Sequence, residues 1–319
     1  MGPLPSALTV DETSRVTRGI TRLSVGVALV LTAVKAAAWA ASGSIAMLAS
    51  LADSGLDVVA AGATFFAVRY AASPPDREHR FGHGKAEAFA SLTQAGLVFA
   101  SAALVAQQAI VHLVAPHPLA YEAWGLVVMA GSTVLTGLLV FAQTRVLRQA
   151  RSVAVEGDRL HYMADVASNL IAFAGIGVSL LAHRPEPDAI AGLAVAGWLV
   201  WGAIGVFRRA AFELMDHELS DDARRRIVEL MTTDPKVRDV HQLRTRASGP
   251  YVHVQMHADL DPTLSLVEAH RVMVAAERRV LDAFPAADII IHPDPRGAAE
   301  PHGGQFTETH AATREASAR

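Results

Sequence analysis

The sequence predicts an α-helical membrane protein, in which a six-helix transmembrane bundle precedes a C-terminal α+β cytoplasmic domain. Hydrophobic residues make up 51% of the 319 residues and charged residues only 18%, whereas soluble domains carry about 25% charged residues. The charge is also uneven, because residues 23–212 are mostly apolar and residues 213–319 are rich in Asp, Glu, Arg and His. This shift predicts a membrane half followed by a soluble half. The chain has no cysteine, which excludes disulfides and thiolate metal sites.

Six apolar segments have the length of about 20 residues that a helix needs to cross roughly 30 Å of hydrocarbon. The predicted spans are residues 18–41, 45–70, 86–113, 121–146, 153–182 and 188–209. Arginine and lysine collect before the first span, between the second and third, between the fourth and fifth, and after the sixth. Because cytoplasmic loops hold the excess of basic residues, this pattern predicts that both termini are cytoplasmic.

The pattern changes after the sixth span, where short alternating and amphipathic segments replace the long apolar ones. Ser220-Asp221-Asp222 predicts the start of a helix that ends near Thr233. The following elements are predicted as strand 237–247, strand 251–260, helix 264–284 and strand 287–292. The order α-β-β-α-β predicts a compact domain of ferredoxin-like or metallochaperone-like type. The predicted organisation is an N-terminal tail (1–14), a membrane domain (15–212), a cytoplasmic domain (213–296) and a disordered tail (297–319).

Two pairs of potential metal ligands interrupt the second and fifth spans. Asp53 and Asp57 form one pair, and His161 and Asp165 form the other. The i, i+4 spacing places both members of a pair on one helix face. A carboxylate at this depth costs at least ~2.5–3.5 kcal/mol, and two such acids cannot both stay ionised in a low dielectric without a cation between them. A single acid would suit a helix–helix hydrogen bond, but four N and O donors predict one divalent metal ion, with a tetrahedral set favouring Zn²⁺.

Two further clusters lie outside the apolar runs, and each has an alternative interpretation. In the loop after the second span, Asp76, His79 and His83 are spaced i, i+3, i+7 and could hold one metal ion, or be incidental histidines in a basic loop. The soluble half contains a third group, made of His241, His257, His270, His292 and Asp294. This group could bind metal or consist of surface histidines in a chain that has 14 of them. His253 shares a strand face with His257 by alternation.

Several motifs together resemble the cation diffusion facilitator family, most closely its bacterial ferrous-iron and zinc efflux branch. In the membrane half they are LADSGLD at Leu51–Asp57, HRFGHGKAE at His79–Glu87 and LHYMAD at Leu160–Asp165. In the soluble half they are HQLRTR at His241–Arg246, SGP at Ser248–Pro250, VQMH at Val254–His257 and IIIHPDP at Ile289–Pro295. The resemblance covers about residues 15–296.

The resemblance implies a role for each matching position. Asp53, Asp57, His161 and Asp165 match the transport site, and Asp76, His79 and His83 match a loop site. His241, His257, His270, His292 and Asp294 match a binuclear site of the cytoplasmic domain. Lys85 and Asp216 match a charge pair that locks the two halves together, and Leu160 matches an apolar gate. The resemblance also implies a homodimer in the bacterial inner membrane that exchanges metal ions for protons. His253 has no counterpart among these ligands.

The sequence therefore predicts a proton-coupled exporter of divalent transition metals, Zn²⁺ first and also Cd²⁺ or Fe²⁺, and no nucleic-acid partner. A membrane-anchored metal sensor or store would use the same ligands without translocation, although it has little need for ligands inside the membrane. A membrane metallohydrolase ranks last, because neither a nucleophile–base arrangement nor an HExxH motif is visible. Lys35, in the first span, could snorkel to the surface or pair with an acid on a neighbouring helix.

Overall fold

The structure is a computed structural model that describes residues 8–43, 45–114, 123–182 and 186–297. Within these residues the first half consists of six long helices. They are α1 (Val10–Ser42), α2 (Ile45–Ala71), α3 (Ala86–Val114), α4 (Ala123–Leu147), α5 (Val153–Ala182) and α6 (Glu186–Leu214). The predicted disordered tail, apart from Gly297, and residues 1–7 of the predicted N-terminal tail lie outside the described residues.

Five of the six helices contain a segment long and apolar enough to cross a membrane, judged over the described residues. These segments are Val10–Ala41, Ser50–Ala71, Ala86–Val111, Leu126–Leu147 and Ile190–Leu214. Helix α5 is 30 residues long and carries Glu156, Asp158, Arg159 and Asp165 in its first half, and its span stays a prediction. The chain is thus a helical membrane protein with five identified apolar spans.

Helix α1 begins at Val10, so residues 10–14 are helical where the sequence predicted a tail. The first turns of α1 are lined by short hydroxyl side chains that bond to their own helix. Thr17 Oγ1 donates to the carbonyl oxygen of Thr13 at 2.9 Å, and Thr21 Oγ1 donates to that of Thr17 at 3.0 Å. Because such bonds satisfy the hydroxyl group inside the helix, these polar residues can be buried without breaking it.

Helix α5 lies between two buried clusters of the membrane half. One cluster joins α5 to α1, α2 and α4 through Val155, Tyr162 and residues that include Ile20, Val68 and Leu139. The other joins α5 to α3 and α6 and is made mostly of small side chains, among them Ala95, Ala164 and Ala203 around Leu160. Small residues let helices approach closely in lipid, where packing rather than hydrophobic burial holds helices together. These contacts place the His161 turn of α5 inside the bundle.

The soluble half follows the predicted order of elements. It contains α7 (Asp221–Met231), β1 (Val237–Ser248), β2 (Tyr251–Leu260), α8 (Leu266–Ala283) and β3 (Ala287–Pro295). The strands form a sheet in the order β1-β2-β3, with β1 and β2 antiparallel and β2 and β3 parallel. Alternate residues of β2, including Val254 and Met256, pack with Ile227 of α7 and Val280 of α8 in one core. The opposite face of the sheet carries His253 and His257, as strand alternation requires.

Contacts within the chain divide the protein into two compact units. The membrane unit is Asp11–Leu214, and the soluble unit contains the residues from Met215 onward. Helix α8 of the soluble unit starts with a capping box, in which Ser265 and Glu268 bond to each other's backbone N–H groups. Both hydrogen bonds satisfy backbone N–H groups that have no partner within the first turn of a helix. Helix α7 begins with a single cap, in which the Ser220 side chain accepts from the backbone N–H of Ala223.

Candidate functional site

Helices α2 and α5 bring together two side chains that are 104 positions apart in the sequence. His161 Nε2 lies 3.0 Å from Asp57 Oδ1, and the two side chains are only 8% and 14% exposed. Asp165 lies one turn further along α5. One ligand atom from each of Asp57, His161 and Asp165 lies within 4.8 Å of the others. We call this group the transport triad.

Asp53 does not belong to this triad, although the sequence groups it with Asp57. It lies one turn earlier on α2 and its side chain is exposed. Its charge interacts with those of Asp57, Lys35 and His161, so it remains in the electrostatic surroundings of the triad. Three N and O donors with one position left open can accept a divalent ion in a tetrahedral arrangement, and Asp53 or water could supply the fourth ligand.

Leu160, the predicted apolar gate, precedes His161 and packs closely against α6. A Cβ atom added at Gly202 would lie 2.9 Å from Leu160 Cδ1, which is closer than real Cβ contacts allow. Leu160 is 8% exposed and sits among the small residues of α3, α5 and α6. The absence of a side chain at Gly202 is therefore what makes room for Leu160 in this arrangement.

The sequence analysis missed a buried carboxylate, Asp158, that lies about one turn before His161. Gln143 Nε2 of α4 donates to Asp158 Oδ2 at 2.8 Å, and Gln94 Nε2 of α3 donates to Oδ1 at 3.4 Å. The two amides reach further, to Ser24 of α1 at 3.1 Å and to Thr64 of α2 at 3.0 Å. Five helices thus share one network beside the triad. Its signal in the sequence was the pair of glutamines that interrupt apolar segments.

Buried acids also occur at one end of α3 and α6, and these were missed as well. Ser152 Oγ donates to Glu87 Oε2 at 2.5 Å. Arg151 lies 3.8 Å from Glu213. Both glutamates are almost fully buried, so each needs the partner that it has.

The predicted loop cluster is also assembled in the structure. His79 Nδ1 lies 3.3 Å from Asp76 Oδ1, and His83 Nε2 lies 3.2 Å from Asp76 Oδ2. The backbone N–H groups of His79 and Glu78 donate to Asp76 at 2.6 and 2.8 Å. Donation from His79 is the main reason that the pKa of Asp76 is lowered, because hydrogen bonds to a carboxylate favour its charged form. The loop therefore presents an ionised acid beside two imidazoles.

The soluble unit assembles three of its five predicted ligands. His257 Nδ1 lies 2.8 Å and His241 Nε2 lies 3.3 Å from Asp294 Oδ2. His241, His257 and Asp294 form a second group with ligand atoms within 4.8 Å of one another. We call this group the sheet triad. His292 flanks it, with Nε2 3.3 Å from Asp294 Oδ1, whereas His270 is exposed on α8 and outside the group.

His253 takes part in a different contact on the same sheet face. Its Nδ1 lies 3.2 Å from Asp288 Oδ2, and its side chain is 7% exposed. Burial is the largest influence on His253 and lowers its pKa, while the neighbouring Asp288 opposes that shift. The result is an imidazole that favours its neutral form.

Lys85 and Asp216, the predicted charge pair, each bond to another residue of their own unit. Lys85 Nζ donates to the carbonyl oxygen of Leu214 at 3.3 Å. Asp216 accepts from Arg246 Nη1 at 3.1 Å. The pairing of Lys85 with Asp216 remains a prediction.

Comparison with known proteins identifies the family from both halves of the chain. Residues 21–215 match the cation efflux transmembrane domain, and residues 219–296 match the cytoplasmic domain of cation efflux proteins. The chain is 39% identical over 270 residues to the cation-efflux pump FieF of Cronobacter sakazakii, covering 84% of this chain and 89% of that protein. It is 37% identical over 280 residues to FieF of Citrobacter koseri, covering 88% and 93%.

A third relative, FieF of Serratia proteamaculans, is 35% identical over 282 residues, which cover 88% of this chain and 94% of that protein. Both domain matches and all three relatives are of cation efflux proteins, so the prediction of a transporter rather than an enzyme is confirmed. The predicted resemblance is confirmed over most of the chain. The chain therefore belongs to the cation diffusion facilitator family of cation efflux transporters.

Proposed function

We propose that this family member exports Zn²⁺ from the cytoplasm in exchange for protons, with Cd²⁺ and Fe²⁺ as further substrates. The transport triad carries the proposal, because it places two carboxylates and an imidazole within 4.8 Å of one another inside a helical membrane domain. Mixed N and O donors suit Zn²⁺ better than Mg²⁺ or Mn²⁺, which prefer oxygen alone. Asp53 completes the proposed site as the fourth ligand.

Competition between metal and protons supplies the coupling. Carboxylate and imidazole ligands bind metal only when they are deprotonated, so protons arriving at the triad weaken metal binding and metal arriving there releases protons. If the bundle alternately opens to the two sides, a proton gradient directed inward drives the metal outward. We place the chain in the bacterial inner membrane with both termini in the cytoplasm, since basic residues collect at the termini and in alternate loops, and cytoplasmic loops carry the excess of Lys and Arg.

The other predicted ligands act outside the transport path in this proposal. The sheet triad, with His292 and His270, binds Zn²⁺ and stabilises the soluble domain within a homodimer. The donor set fits such an ion, because Asp294 already approaches two imidazoles at 2.8 and 3.3 Å. Asp76, His79 and His83 form a cytoplasmic loop site, and Lys85 with Asp216 connects the two halves.

The test is Zn²⁺ uptake into proteoliposomes whose lumen is more acidic than the outer buffer. We expect zinc to accumulate while the gradient lasts, and Asp57→Ala to abolish accumulation, because it removes the ligand closest to His161. Transport by Asp57→Ala at the wild-type rate contradicts the site assignment. Metal binding with no flux under any gradient would instead favour a sensor or store. Competition by Cd²⁺ and Fe²⁺ in the same vesicles ranks the substrates.

A further inference from the structure

Lys35 is a charged residue in the apolar part of α1, and its side chain reaches across to α2. Its Nζ donates to Ser54 Oγ at 2.6 Å and to the carbonyl oxygen of Ser50 at 3.3 Å. Thr32 lies one turn before Lys35 on α1, and its Oγ1 donates to the carbonyl oxygen of Ser54 at 3.1 Å. Ser54 itself is buried. These bonds hold the ammonium against α2, rather than leaving it to snorkel toward a membrane surface.

The ammonium is held beside the turn of α2 that carries the acids. Ser54 follows Asp53 directly and precedes Asp57 by three residues. The positive charge of Lys35 interacts with the carboxylates of Asp53 on α2 and Asp165 on α5. A cation within a membrane domain is costly unless acids compensate it. Lys35 is therefore part of the electrostatics of the transport site, although it cannot bind a metal ion itself.

A count of charges shows what this residue contributes. The three carboxylates proposed as metal ligands, Asp53, Asp57 and Asp165, carry three negative charges when ionised, and a divalent ion supplies two positive charges. Asp158 is not counted because it is not a proposed ligand, and its carboxylate accepts hydrogen bonds from Gln94 and Gln143. The remaining negative charge equals the single positive charge of Lys35. We propose that Lys35 is the internal counter-charge of the transport site, a fixed cation that matches three carboxylates to one divalent ion and weakens metal binding enough for release.

This inference rests on the proposed function and deepens it, because it assigns a positioning role to a residue outside the ligand set. It predicts that neutral replacements bind metal more tightly and release it more slowly. A unit charge several ångströms away in a partly buried site changes an affinity by roughly tenfold. The effect should appear in both KM and the maximal rate, since tighter binding that does not favour translocation lowers KM without raising the rate.

The experiment compares Lys35→Gln, Lys35→Met and Lys35→Arg in the zinc proteoliposome assay. Gln keeps a hydrogen-bond donor for Ser54 without the charge, Met keeps neither, and Arg keeps both. We expect Gln and Met to lower the KM for Zn²⁺ about tenfold and to lower the maximal rate by a similar factor. Lys35→Arg should stay within about twofold of wild type, because the charge is retained.

Each other outcome is decisive. If Lys35→Gln behaves as wild type while Lys35→Met is impaired, the residue only links α1 to α2 and the counter-charge is wrong. An unchanged or raised KM in Lys35→Gln overturns it as well. If Lys35→Met fails to fold, as judged by size-exclusion chromatography, Lys35→Gln still decides. Asp57→Ala distinguishes failure of the proposed function from failure of the counter-charge. Full flux in Asp57→Ala contradicts the proposed transport site. If Asp57→Ala loses flux but Lys35→Gln has an unchanged KM, the counter-charge alone is wrong.

Discussion

The transport triad and the sheet triad use the same kinds of donor on two different scaffolds. Each has an imidazole nitrogen close to a carboxylate oxygen, at 3.0 Å between His161 and Asp57 and at 2.8 Å between His257 and Asp294. In the soluble unit, His257 is the register partner of His241 on β1 and of His292 on β3. In the membrane unit, α2 and α5 are separate helices, and no backbone hydrogen bond joins them among the residues that the structure describes.

Under the proposed function, this difference explains how one chain could hold a metal ion at one site and release it at the other. Strand register is fixed by a ladder of backbone hydrogen bonds, so the histidines of the sheet triad cannot separate unless the sheet opens. Helices in lipid are held by side-chain packing, and packed helices can shift by about 1–2 Å between states. The sheet scaffold suits a site that retains its ion, and the helix scaffold suits one that binds and releases in turn.

The largest expected effect tests this division of duties. Asp165→Asn should reduce zinc flux by at least about 100-fold, because loss of even the partner of a metal ligand costs 10–100-fold in affinity. Asp294→Asn should leave flux within about twofold of wild type, because a site off the path affects neither binding nor release at the triad. Flux is measured in the acid-loaded vesicles. Equal losses in both variants would show that the two sites act as one.

A smaller effect is expected from the packing that supports the transport triad. Gly202→Ala places a Cβ atom 2.9 Å from Leu160 Cδ1, and Leu160 is surrounded by packed helices, so its side chain must move next to His161. Overpacking of this kind costs about 1–3 kcal/mol, and we expect roughly a fivefold loss of flux. The same zinc flux assay measures it.

The chain offers a matched control on the same helix. A Cβ atom at Gly197 meets nothing within 4 Å, so Gly197→Ala should transport as wild type. The double variant Gly202→Ala with Leu160→Val removes the clashing methyl group and should recover most of the flux. If Gly197→Ala is impaired to the same extent as Gly202→Ala, or if the double variant recovers nothing, the contact with Leu160 is not the cause.

The residues that meet in the two triads could be predicted from sequence because the signal is local in each element. An acid or histidine at i, i+4 in an apolar helix, or at alternate positions in a strand, already defines a face. The structure adds that Asp57 reaches His161 and Asp165 while Asp53 does not join them. Crossing helices diverge away from their point of closest approach, so one turn of α2 lies nearer to α5 than the turn before it.

The supporting residues could not be predicted, because their partners come from several distant elements. Gln94, Gln143 and Asp158 belong to three helices, and only the packed bundle brings them together. The sequence leaves Lys35 either to snorkel or to pair with an acid and assigns it no role, whereas its hydrogen bonds go to Ser50 and Ser54. Gly202 resembles any other small residue of a membrane helix until Leu160 is seen to lie against it.

The smallest expected effect concerns His253, which shares the scaffold of the sheet triad but lies outside the triad itself. Burial lowers its pKa in the folded state below the ordinary value of 6.5. As the pH falls through 6.5, the unfolded chain takes up a proton that the folded chain resists, so stability declines until the folded pKa is reached.

The charged groups that face His253 are Asp288 on β3, and Arg246 on β1 with its partner Asp216. The melting temperature of the full-length protein is measured with a chelator at pH 7.5 and at pH 5.5. The decrease between these two pH values should be smaller in His253→Gln than in wild type, by roughly 4 °C or less. The exposed His217 provides the control, since His217→Gln should keep the wild-type slope. Should His253→Gln keep that slope too, burial does not hold this imidazole neutral, and the pH response of the soluble half arises from the triad histidines instead.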